Sequence, residues 1–167
     1  VITSTAAGTP LTLVAGRNVI NNAGSGALST PSDRWLVYST NPAADTIGGL
    51  SNSFRRFSCT YGGSCPSMPG TGNGLLYTTT PTLTAAPNTV ALTYGDVLSL
   101  SNYAYSLSGY LGSDASADSI TGTLTGSTNY TQGSGIGNYA INYSSGSLAS
   151  AMGYALSYSS PSNAITV

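Results

Sequence analysis

The side chains able to do chemistry in this chain are few, and their spacing limits what they can do. Cys59 and Cys65 are separated by five residues, Thr60 to Ser64. With no His in the chain they cannot complete a tetrahedral Cys/His zinc site, and their spacing is longer than that of a CxxC redox pair. Asp114 and Asp118 lie four apart in Gly112-Ser113-Asp114-Ala115-Ser116-Ala117-Asp118. On one helical turn they would share a face, and two carboxylates with backbone carbonyls are a start toward Ca²⁺, although a dedicated cage needs more oxygen ligands. The other reading is that Asp114 or Ser113 caps the turn through its side-chain oxygen, and no metal site is expected. Asp96, in Tyr94-Gly95-Asp96, is placed in a turn where its carboxylate accepts backbone N–H bonds. Tyr103, Tyr105 and Tyr110 crowd one segment, and Tyr103 and Tyr105 share a face if it is a strand. A phenol with an apolar face and a polar tip either stacks on a sugar or partner surface or fills the edge of a small core. The second role is favoured for these three, and Trp35, beside Leu36 and Val37, reads as a core anchor. Asn129-Tyr130-Thr131 and Asn142-Tyr143-Ser144 match the N-glycosylation acceptor pattern, and no modification is expected at either.

Composition narrows the function classes further. The 167 residues include 27 Ser, 22 Thr and 21 Gly, but only four Arg and five Asp, with no Lys, Glu or His. A Ser-His-Asp triad, a histidine metal site, a Lys Schiff base and a Lys-Asn isopeptide bond are therefore excluded. A paired-carboxylate glycosidase would need two acidic groups facing a cleft, one with a raised pKa, and nothing in the five Asp suggests it. An enzyme is not expected, nor is a cofactor. Four Arg are too few for a nucleic-acid surface, where neutralised phosphates supply most of the affinity. No run of 18 apolar residues would span a bilayer, and the first residues lack a basic-then-apolar leader, so for an exported chain the signal is expected to have been removed or to lie on a longer precursor. Disorder is not expected either, since the chain is 40% hydrophobic, has twelve Tyr and carries a net charge of −1.

The elements that must carry these residues are β-strands. Period-two alternation dominates, and no window of 11 to 18 residues holds a 3.6-residue apolar stripe. Strands are expected at Pro10–Val14, Asn18–Ile20, Arg34–Ser39, Ile120–Thr125, Tyr139–Tyr143 and Tyr154–Tyr158. Residues 41 to 73, rich in Gly, Pro, Ser and Asn, read as a long loop region with short strands. Pro81 and Pro87 bracket a Thr-rich strand and are expected to lie off central strands. Composition shifts there, and a module boundary is placed near residue 82. The fold class is all-β, in two small modules, 1–81 and 82–167.

Two stretches carry a family resemblance. Pro10 to Pro31, followed by Arg34-Trp35-Leu36-Val37-Tyr38-Ser39-Thr40 and by Pro42 to Leu50, resembles the segment after the long β-helical shaft of filamentous-haemagglutinin-like adhesins of two-partner secretion. Thr93-Tyr94-Gly95-Asp96, Ser108 to Asp114, Ile120 to Leu124, Gly137 to Ile141 and Gly153 to Tyr158 are similar to the MBG (YGD-type) repeat of the same adhesins. Together the matches cover most of the chain. The resemblance implies a first module that flanks a β-helix or forms an irregular sandwich, and a second that is a small all-β or β-grasp-like stalk unit. It also implies an extracellular or cell-surface location. Neither motif is catalytic. In an exported chain, Cys59 and Cys65 are expected to form a structural disulfide. The function expected is that of a stalk or filament segment, with a glycan- or surface-binding module using exposed tyrosines as the alternative.

Charge and chain ends suggest how such segments would join. Residues 1 to 80 carry a formal +2 and residues 81 to 167 a formal −3. Val1-Ile2-Thr3 and Ala164-Ile165-Thr166-Val167 are β-forming and uncharged, without the Lys that commonly blunts an exposed sheet edge. Both are expected to act as assembly strands, either head to tail with a second copy or continuing into neighbouring repeats of a longer adhesin.

Overall fold

The computed structural model describes every residue except Ser32, Leu100, Ser101, Asn102 and Ser145. The fold is all-β: strands of two to six residues joined by turns and short 3₁₀ segments, with no α-helix among the described residues. It divides into two compact units, Val1–Pro81 with Ala151–Tyr154, and Thr82–Ser150 with Ala155–Val167. The first unit thus includes four residues beyond the expected boundary.

The first unit contains β1 (Ile2–Thr3), β2 (Leu11–Val14), β3 (Leu28–Ser29), β4 (Trp35–Ser39), β5 (Phe54–Arg56) and β6 (Gly74–Tyr77). Its main sheet has the order β2-β4-β6-β5, with every neighbouring pair parallel. Parallel strands need long crossovers, usually helical; here they are irregular chain braced by side chains. Asp45 takes part, accepting bonds from the Val19 amide (2.9 Å) and the buried Ser39 hydroxyl (2.6 Å). The Asn73 side chain likewise accepts from the Trp35 amide at 3.0 Å. All five residues of β4 are buried, as expected of a strand covered on both faces. One face packs Leu36 and Tyr38 with Phe54, Leu76, Cys59 and the half-buried Cys65. Phe57, wholly buried, stacks on Tyr77 and meets the Tyr154 ring edge-on at 4.8 Å, while its amide donates to the Met152 carbonyl. Asn18–Ile20 is not a strand; only the single bridge from Ile20 to Thr46 forms there.

The second unit contains β7 (Thr82–Pro87), β8 (Val90–Ala91), β9 (Tyr105–Ser108), β10 (Ile120–Thr121), β11 (Thr125–Thr128), β12 (Asn138–Tyr139), β13 (Ile141–Ser144), β14 (Ala149–Ser150), β15 (Ala155–Tyr158) and β16 (Ile165–Thr166). They form the sheets β15-β7-β9 and β12-β16-β8 and the pairs β11-β13 and β10-β14. No α-helix is among the described residues of this unit. Two expected strands are each split in two. Ile120–Thr125 breaks at Gly122, whose φ of +91° ends β10 and lets β11 turn to a different partner. Tyr139–Tyr143 breaks at Ala140, sending β12 to β16 and β13 to β11.

Pro87 differs from expectation because it ends a central strand. Its neighbour β15 extends only to the level of Ala85, so no donor is needed on that side. The core of this unit is built around Tyr130, Ile141, Tyr143, Ala164 and Ile165.

Candidate functional site

The structure places the sequence-derived candidates unequally. Cys59 and Cys65 are disulfide-bonded, with Cα atoms 4.0 Å apart and Cys59 wholly buried. The turn over Asp114–Ser116 exists, but Ser113 makes no side-chain cap and Asp114 enters it as a buried residue. Asp118 accepts bonds from the Ser119 amide and the Ser150 hydroxyl (2.7 Å). Among the described residues no three His, Cys, Asp or Glu side chains gather as a metal site would require.

The three tyrosines weighed as ligand contacts are half-buried. Tyr103 and Tyr105 pack against the core of the second unit, and Tyr105 meets Tyr143 edge-on. Tyr143 donates to the Tyr103 and Ala104 carbonyls, at 2.9 Å each. Tyr110 lies beside Asp118; burial first, and then that carboxylate, raise its pKa. Tyr103 and Tyr105 therefore follow the core reading.

The two expected assembly strands also part company. β16 is the middle strand of its sheet, parallel to β8 and antiparallel to β12, and Ala164 and Ile165 are buried. Ala164, Ile165, Thr166 and Val167 are thus not an open edge. An uncharged β-forming run fits the centre of a sheet as well as its rim, and topology chose the centre.

β1 behaves otherwise. It pairs only with β3 among the described strands, in parallel, with the Ile2 and Ser4 amides donating to the Ala27 and Ser29 carbonyls. Successive amides of a strand point to opposite sides, so the Thr3 amide faces away from β3. Val1 is 88% and Ile2 47% exposed. Beside them runs an apolar groove of about 560 Å³, lined by Val1, Ile2, Leu13, Ile20, Val37 and Leu50 among others.

A second exposed feature was not legible as a site. In the turn Thr93–Asp96 the Asp96 amide donates to the Thr93 carbonyl, and the Thr93 amide donates back to the Asp96 carboxylate at 2.8 Å. The buried Tyr130 donates its hydroxyl to the Asp96 carbonyl at 2.6 Å, and the Gln132 amide donates to the Gly95 carbonyl. The loop 131–137 is braced by Tyr139, which donates to the Gly135 carbonyl and packs edge-on against Tyr130. The two braced loops present Tyr94 (68% exposed), Val97 and Ile136 to solvent. The turn itself was readable from Tyr94-Gly95-Asp96; which of twelve tyrosines would be left outside was not.

Compared with family models, with curated proteins and with solved structures, the chain matches none.

Proposed function

We propose that this chain is a non-enzymatic structural segment of a secreted bacterial surface adhesin or extracellular filament, joined end to end through β-strand contacts. The observation that carries the reading is β1, an uncharged strand with an open edge beside an apolar groove. Unprotected edges pair with other chains: main-chain hydrogen bonds supply affinity, and pockets for alternate side chains supply register. The partner is a second copy or a neighbouring repeat, and the joint lies on β1 rather than on β16. The resemblance of the sequence to haemagglutinin-like adhesins and their MBG repeats supports the same reading and, with it, an extracellular or cell-surface location.

Thr3→Pro tests the joint. It removes the amide that faces away from β3 while leaving the Ile2 and Ser4 bonds in place. The wild-type chain is expected to form concentration-dependent linear assemblies by sedimentation and negative-stain microscopy, and Thr3→Pro to remain monomeric with an unchanged melting temperature. A wild-type chain that stays monomeric, or a variant that assembles equally well, overturns the proposal.

A further inference from the structure

The loop end of the second unit is built to hold a ring in the open. Tyr94 follows Thr93 in a turn closed by reciprocal bonds between Thr93 and Asp96, and the turn is tied to the next loop through Tyr130 and Gln132. An aromatic side chain at 68% exposure on a braced turn exposes apolar area to water and adds nothing to the core. The same turn and the loop tied to it also carry the exposed polar side chains of Asp96 and Gln132. The Gln132 NH₂ is engaged with the Gly95 carbonyl, which orients the amide and leaves its oxygen as an acceptor; the Asp96 carboxylate also accepts only. An exposed flat ring on the same pair of tied loops as two acceptors suits a ligand with an apolar C–H face and hydroxyl donors at its rim.

Charge narrows the ligand further. Residues 81 to 167 contain no Arg or Lys and three Asp, so nothing in this unit compensates a carboxylate, sulfate or phosphate on the ligand. We infer that the Thr93–Asp96 turn and the 131–137 loop form a binding site for a neutral saccharide, with Tyr94 as the stacking platform and Asp96 and Gln132 as hydroxyl acceptors. Ile136, 90% exposed, adds apolar surface on the second loop. The inference goes beyond the structural role proposed above and is independent of it, since Thr3→Pro leaves this loop end untouched.

The test uses the full chain, titrated by NMR with chitohexaose, cellohexaose and mannohexaose as neutral probes and with hyaluronan, heparin and polysialic acid as acidic ones. At a free concentration of about 5 mM even a millimolar site is filled. At least one neutral probe is expected to bind and to shift the Tyr94, Asp96 and Gln132 resonances. Tyr94→Ala should weaken that binding at least about tenfold, Tyr94→Trp should retain it, and Tyr61→Ala, at an exposed ring in the first unit, should leave it unchanged. The inference is overturned if no neutral probe binds, if only the acidic probes bind, or if Tyr94→Ala binds as tightly as the wild-type chain.

Discussion

Single side chains in this protein act mainly by finding a buried partner, and the tyrosines show it best. Tyr38 and Tyr143 have raised pKa values, chiefly because burial disfavours the phenolate; Tyr61 and Tyr105 respectively add to the effect, and Arg34 offsets part of it at Tyr38. A tyrosine in the unfolded chain titrates near about 10. Below that pH these groups are neutral in both states and contribute no pH dependence. Above it the unfolded chain binds fewer protons than the folded one, so stability falls as pH rises, by up to about 1.4 kcal/mol per pH unit for each such group. Thermal melts should therefore keep a constant contribution from these groups up to about pH 9 and fall as pH rises above about 10. Tyr143→Phe should lose part of that alkaline slope and, at neutral pH, about 1 to 2 kcal/mol, because the Tyr103 and Ala104 carbonyls lose their donor. Denaturant titration at both pH values checks the pair. The disulfide closes a short loop, so reduction should lower the stability of the first unit by about 2 to 3 kcal/mol. Unfolding followed by the fluorescence of Trp35, the only Trp in the chain, measures it.

Among the elements, backbone geometry at a few glycines decides where strands stop and what they pair with. Gly122 is the clearest case. Alternation across Ile120–Thr125 is real, yet one residue at positive φ converts a single run into two strands in different sheets. Alternation reports which side chains share a face; it is silent on a break that leaves the period intact. Gly153 supports a different junction. Its φ is +91°, and a Cβ there would run into the Phe57 carbonyl and the Pro66 ring. Gly153→Ala should destabilise the first unit by roughly 1 to 3 kcal/mol through strain and loss of that close approach. A denaturation midpoint within error of wild type, read at Trp35, would contradict this. The strand expected at Arg34–Ser39 was legible in its Trp-Leu-Val-Tyr run of strand-forming residues; its burial on both faces was not. That its neighbours are all parallel was not legible, because nothing local distinguishes parallel from antiparallel partners.

For the molecule as a whole, the first unit depends on residues far along the chain. Phe57 is covered by Tyr154 and bonded to the Met152 carbonyl, so a fragment ending at residue 81 lacks part of its own core. The fragment 1–81 should expose Phe57, bind a hydrophobic dye and unfold at lower denaturant than the same unit in the intact chain. Equal midpoints, read through Trp35, would show that residues 151–154 are dispensable. The sequence by itself determined the all-β class, since period-two alternation and turn residues are local signals. It also determined the scarcity of catalytic chemistry, which composition alone decides. It carried the core role of Trp35. Only tertiary structure decided that the first unit draws in residues 151–154, that β16 is central and β1 an edge, and that Tyr94 stands in solvent while Tyr103 and Tyr105 pack on a core. The reason is physical: both terminal runs have the same uncharged β-forming composition, and all twelve tyrosines the same chemistry. Exposure depends on which strand arrives on the other side, and that partner lies up to tens of residues away, as Ala155 does from Thr82.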